Sequence, residues 1–138
     1  MRQAIGMLEI EIRRPGLCEI TGDVGRWVDE QRIGEGLLTL FCRHTSASLV
    51  IQENAAPAVR RDMERYFDRL APQDAAYEHD DEGPDDMPAH LKTALTGVQL
   101  SIPVQRGAAM LGTWQGIYLF EHRARPHRRS IALHLIGA

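Results

Sequence analysis

The chain has 138 residues, 43% of them hydrophobic and 25% charged, which suits one soluble domain able to bury a core without disulfide or metal staples. A formal net charge of −3 argues against nucleic-acid binding, which favours a basic excess. No stretch reaches the 18 or more apolar residues of a membrane span, and the N-terminus carries charges where a signal peptide needs its apolar run, so a cytoplasmic address is expected.

Leu8, Ile10 and Ile12 alternate with Glu9, Glu11 and Arg13, the period of a half-buried strand. Pro15-Gly16 ends it, and Leu17 to Thr21 resumes a short strand. A helix is predicted from Gly22-Asp23 to about Ile33, with Asp23 as its cap, and Gly34 and Gly36 close it. Strands follow at Leu37–Cys42 and Ser48–Gln52; Cys18 and Cys42 lie in strand-like stretches and read as buried thiols. The clearest helix starts after Asn54 as N-cap, has Pro57 in its first turn, and sets Val59, Met63, Tyr66, Phe67 and Leu70 on one face. Pro72 stops it, and residues 73–86 form a long acidic loop. A further helix is predicted over Met87–Leu95, capped by Asp86, with Gly97 past its end. Val98, Leu100, Ile102 and Val104 alternate as a strand that Pro103 assigns to an edge. Two last strands, about Ala109–Glu121 and Ser130–Ile136, complete an α+β domain with a mostly antiparallel, β-sandwich-like sheet and two to three helices.

Three of the six histidines stand in polar contexts: His44 beside hydroxyls, His79 among carboxylates, His90 before a lysine. His79 and His90 flank Asp80, Asp81, Glu82, Asp85 and Asp86, so a loop folding back on its helix brings both imidazoles to one ion with a carboxylate; a solvated acidic loop is the alternative. Thr45, Ser46 and Ser48 after a strand, and Asn54 at a helix start, offer a phosphate cradle or simply a hydroxyl-rich turn and a cap. Gly112-Thr113-Trp114-Gln115-Gly116 places two glycines in a strand, as for a bulge or a ligand close to the backbone. Trp114 and Gln115 there suit a heteroaromatic ring, or Trp114 is core packing. Arg128 and Arg129, in a basic cluster, hold phosphate or line a solvated turn; Glu121 and His122 are candidate acid–base groups.

Taken in order, H-T-S-A-S-L from His44, Glu53-Asn54, the tract from Tyr77 to Lys92, I-P-V from Ile102, G-T-W-Q-G-I from Gly112, and E-H-R with Arg128-Arg129 resemble the YjbQ-type secondary thiamine-phosphate synthase family. The chain departs from other branches at Asp86, where they carry Asn, and at His122, where they carry an acidic residue. The resemblance implies one domain over residues 1–138, a homotrimer, and a site built from the histidines. It also implies a reaction joining a thiazole phosphate to a pyrimidinylmethyl pyrophosphate with loss of pyrophosphate. That chemistry needs a divalent cation, zinc or magnesium, or basic groups for the leaving group, and an aromatic surface for the pyrimidine. His44, His79, His90 and Glu82 are then the expected metal ligands, and His44 and Glu121 the catalytic groups. Thr45, Ser46, Ser48, Asn54, Thr113, Trp114, Gln115, Arg128 and Arg129 are the expected contacts to a small phosphorylated metabolite, at a site near a subunit boundary. The rival reading is a non-catalytic metabolite- or metal-binding homotrimer.

Overall fold

The computed structural model describes residues 1–138. In chain order the elements are β1 (Arg2–Ile12), β2 (Gly16–Glu19), α1 (Thr21–Gln31), β3 (Gly36–Cys42), β4 (Ala47–Glu53), α2 (Pro57–Leu70), α3 (Asp86–Thr96), β5 (Gln99–Gln105), β6 (Ala108–Ala109), β7 (Gln115–Glu121) and β8 (His127–Gly137). Every strand pair is antiparallel. A large sheet runs β1-β8-β3-β5-β6 and a small one β2-β7-β4, the α+β sandwich that the pattern predicts. No helix is long and apolar enough to cross a membrane.

Alternation explains the layers. Leu38 and Leu40 of β3 and Ile131, Leu133 and Leu135 of β8 face Leu49 of β4 and Ile117 and Leu119 of β7, all at most 1% exposed. Val24 and Val28 of α1 join this cluster. The intervening residues of β7, Tyr118 and Phe120, turn the other way and meet Leu17, Val50, Met63 and Phe67, so α2 forms a third layer over the small sheet. Phe67 and Phe120 meet edge to face at 5.5 Å between centroids. The predicted apolar face of α2 is only partly used, because Tyr66 and Leu70 stay exposed. In β1, Gly6 is required by a neighbour: a Cβ there would lie 2.2 Å from Trp27 Nε1, so the indole lies over bare backbone.

Three local predictions are revised. The strand expected from Ala109 to Glu121 is broken, because Gln115 Oε1 accepts from Gly112 N–H at 2.7 Å and Gln115 N–H donates to Gly112 O at 3.0 Å. This turn sends β6 to one sheet and β7 to the other. Asn54 does not cap α2; Ala56 holds that position, and Asn54 Nδ2 donates to Glu19 Oε2 at 3.1 Å. Asp86 does not cap α3 but is its first helical residue, with Asp85 before it. Pro103 sits as expected near an edge, in a strand flanked outward only by the two-residue β6.

The buried polar residues are Ser48, Asp86, Thr93, Glu121, His122 and Arg129. All belong to one end of the sandwich, where β4 starts, β7 ends, β8 begins and α3 packs. His122 is the instructive case. Thr96 Oγ1 lies 2.8 Å from Lys92 O and 2.6 Å from Ser48 Oγ, which in turn lies 2.9 Å from His122 Nε2. A carbonyl only accepts, so the single Thr96 proton goes to Lys92 O, Ser48 donates to Thr96, and His122 donates from Nε2 to Ser48. The ring is neutral: burial, with the nearby charges of Lys92 and Arg129, pushes its pKa down to about 3. An unfolded chain therefore takes up this proton first. Its contribution to stability is intact above the ordinary histidine value of about 6.5 and falls by roughly 1.4 kcal/mol per pH unit below it, until about pH 3. Denaturant titrations between pH 6 and 4 should show a shallower acid loss for His122→Gln than for the wild type; equal slopes would refute the assignment.

Candidate cation site and adjoining cleft

At the polar end, α3 presents Asp86 and His90 one turn apart on the same face. The acidic loop brings His79 onto them. Asp86 Oδ2 lies 2.7 Å from His79 Nε2 and 3.2 Å from His90 Nε2, and Glu82 Oε2 lies 3.1 Å from His79 Nε2. The ligating atoms of His79, Asp86 and His90 fall within 4.8 Å of one another, and so do those of His79, Asp81 and Glu82.

Arg123 holds this arrangement from below. It donates to Asp86 Oδ1 at 2.7 Å, to Asp85 Oδ2 at 2.9 Å and to Glu82 O at 2.9 Å, so one guanidinium ties the loop and the helix start to the segment after β7. Burial pushes the Asp86 carboxyl up, but the hydrogen bond from His79 and the charges of His90 and Arg123 outweigh it and hold its pKa below the ordinary value. The same Asp86 hydrogen bond raises the pKa of His79.

The donor set tests well for a divalent cation. His90 Nδ1 lies 3.0 Å from Thr45 O, which can only accept, so Nδ1 carries the proton. In a neutral ring Nε2 is then a bare lone pair turned toward a carboxylate oxygen. Such a pair repels unless a proton or a cation lies between them. A ring nitrogen fixed on a backbone carbonyl with the other left free is how metal-binding histidines are oriented.

His44 stands apart from this cluster. Its Nε2 accepts from Ser130 N–H at 2.8 Å, so that nitrogen is occupied and Nδ1–H is its free donor. Burial, with the charge of Arg129, lowers its pKa. His44, Thr45 and His90 instead line a cleft of about 670 Å³ shared with Phe41, Cys42, Arg43, Thr93, Ala94 and Val98. Cys42 donates to Ala47 O, and burial raises its thiol to about 11, so it supplies no nucleophile here.

The remaining expected contacts divide three ways. Glu121 and Arg129 form a buried ion pair: Arg129 donates through Nε to Oε1 at 2.7 Å and through Nη2 to Oε2, and Nη2 also reaches Ser46 O and Oγ. Neither is free as an acid–base group or phosphate ligand, and Ser46 and Ser48 are taken up in the same interior network. Arg128 alternates outward on β8, 3.5 Å from Glu9 and 3.6 Å from Glu11, and does not face the cluster. Asn54, Thr113, Trp114 and Gln115 lie at the far end of the small sheet, since Glu53 pairs with Gln115 there while Ala47 pairs with Glu121 here. At a rise of about 3.3 Å per residue those ends are roughly 20 Å apart, too far for one small ligand within one chain. Trp114 is 63% exposed, which excludes core packing as well.

Residues that carry the geometry but carried little sequence signal are Asp86 and Arg123. The four-residue spacing of Asp86 and His90 on a helix is the signal that singles out Asp86 among the loop's carboxylates.

Residues 7–138 match the family described as UPF0047 protein YjbQ-like. A UPF0047 protein of Synechocystis is 44% identical over 137 residues, covering 99% of this chain and 93% of that protein. The UPF0047 protein YjbQ of Escherichia coli is 44% identical over 131 residues, covering 94% and 95%. Among solved structures, a conserved hypothetical protein from Thermus thermophilus superposes with a TM-score of 0.85 at 33% identity, over 95% of this chain and 99% of that one. A protein of unknown function from Sulfolobus solfataricus shares the fold at a TM-score of 0.88 and 22% identity, over 99% and 100%. With a match over nearly its whole length and relatives at this identity, the chain belongs to the YjbQ-like UPF0047 family.

Proposed function

We propose that this protein is a metal-assisted enzyme acting on small phosphorylated heterocycles, with thiamine phosphate formation among its reactions, and that it works as a homotrimer. The observation that carries this reading is the His90 ring, fixed on Thr45 O with Nε2 turned to Asp86 and His79. Two imidazoles with a carboxylate suit zinc better than magnesium, which prefers oxygen ligands. A bound divalent ion would supply positive charge to the oxygens of a phosphate or departing pyrophosphate. The chain's own residues do the positioning: Thr45 O sets the His90 tautomer, Arg123 aims Asp86, and His44 offers its Nδ1–H at the cleft. One observation favours the rival, a non-catalytic metabolite- or metal-binding trimer: Glu121 and His122 are enclosed in the interior, which leaves His44, itself held at Nε2 by Ser130 N–H, as the candidate for proton transfer through Nδ1.

Support for self-association comes from the outer face of the large sheet. Ile5, Met7, Leu37, Phe41 and Ile136 are exposed there. The register sets Met7 and Phe41 on either side of Ala132, and Leu37 beside Ile136. These apolar side chains, with Gln3, Thr39 and His134 among them, make a mixed face of the kind found at subunit contacts, and closed cyclic symmetry covers it without open-ended growth. Phe41 belongs to both this face and the cleft, which brings the cleft to the edge of the proposed contact.

Calorimetry with zinc on the metal-free protein should show one tight site per chain. Arg123→Gln should weaken it about 10- to 100-fold, and His79→Ala or His90→Ala more strongly. Single-turnover assays with the two thiamine precursors should give product only with the ion present; binding without product across metals would leave the rival. Ile5→Asp combined with Met7→Asp should convert a sedimenting trimer to monomers, and an unchanged mass would rule out this face as the contact.

A further inference from the structure

The cleft beside the cation cluster is its opposite in charge. Arg43 lines it and no carboxylate does. Arg43 is exposed, its backbone N–H donates to Ser130 O, and its guanidinium pairs with no carboxylate, although the chain as a whole carries a net charge of −3. Two further donors open on the same space. His44 Nε2 is taken by Ser130 N–H, which leaves Nδ1–H free, and the exposed Thr45 holds His90 through its carbonyl while its hydroxyl has no partner in the chain. A guanidinium, an imidazole N–H and a hydroxyl on three successive residues make a donor set for the oxygens of a carboxylate or phosphate. The rest of the wall is apolar: Phe41, Ala94 and Val98 line it, Cys42 is a neutral thiol bonded to Ala47 O, and the Thr93 hydroxyl is enclosed and offers nothing to a ligand. A charge at the mouth of an apolar cleft acts through a lower dielectric than in open water, which strengthens its pull on an opposite charge.

We propose that this cleft binds an organic acid with an apolar body, and does so without the cation. The acid group sits against Arg43, with His44 Nδ1–H and the Thr45 hydroxyl as its further donors. The carbon body lies along Ala94, Val98 and Phe41, the last at the edge of the proposed subunit contact. Arg43 is the anchoring residue. None of these groups belongs to the His79–Asp86–His90 set, and the His90 ring is the wall common to both, lining the cleft while its Nε2 faces Asp86. Carboxylates and phosphate monoesters share the chemistry that this donor set recognises.

Metal-free protein keeps the cation cluster out of the test. Hexanoate, hexyl phosphate, hexanol and acetate are each titrated into it and followed by amide, imidazole and methyl chemical shifts. Hexanoate or hexyl phosphate should shift His44, Thr45, Ala94 and Val98 and bind about tenfold or more tightly than acetate or hexanol, since the acids with a body engage both parts of the cleft. A response to both acids, or to one alone, tells which acid group the site takes. Arg43→Gln should reduce the acids to the affinity of hexanol, Arg43→Lys should recover part of the loss, and neither change should lower zinc affinity. Equal binding of hexanol and both acids, or undiminished binding of the acids by Arg43→Gln, would overturn the site whether or not zinc binds. If the acids bind as expected while zinc does not bind at all, the site stands and the cation reading alone falls.

Discussion

The polar end of this protein hangs on the buried pair of Glu121 and Arg129. Arg129 ties the start of β8 to the end of β7 and, through Ser46, to the turn entering β4. Glu121 Oε2 also accepts the backbone N–H groups of His122 and Arg123, both at 3.1 Å. The backbone of Arg123 is thereby fixed, and its side chain then fixes Asp85, Asp86 and the Glu82 carbonyl. The cluster at the surface is thus the last link of a chain of charge-assisted bonds that begins in the interior. A buried ion pair adds little over an apolar substitute, but loss of one partner alone leaves a bare charge and costs about 3–5 kcal/mol.

Strand parity decides which of two adjacent arginines does this. Arg129 falls on the inward side of β8 with Ile131, Leu133 and Leu135, and Arg128 on the outward side with Ser130, Ala132 and His134. Outward, Arg128 meets only the surface carboxylates Glu9 and Glu11, a contact of small energetic weight. A slip of one residue in the β1–β8 register would exchange their surroundings and bury the wrong charge pattern.

Much of this was legible in the chain itself. Alternation at Leu8, Ile10 and Ile12 and at Ile131, Leu133 and Leu135 marks strands with one face inward, and the spacing of Met63 and Phe67 marks the helix over the small sheet. The acidic loop does fold back to bring His79 to His90. What was not legible depends on three-dimensional satisfaction of polar groups. Ser46, Ser48 and Glu121 read as reactive because hydroxyls and carboxylates usually face water; here interior partners claim them. Asn54 and Trp114 sit in motifs as prominent as that of His44, but nothing local reveals that β4 and β7 carry them to the opposite end. Asp86 reads as an ordinary helix start until its neighbours are known.

The position of β8 has a consequence for how the chain acquires its structure. It is the last strand in sequence, yet it lies between β1 and β3 in the large sheet. During vectorial synthesis β1 emerges first and has no hydrogen-bonding neighbour in its own sheet until β8 follows more than a hundred residues later. The edges of β1 and β3 that β8 will join therefore wait unpaired in the nascent chain. Contacts of such long sequence separation slow folding and lengthen the time in which a chaperone or a wrong partner can intervene.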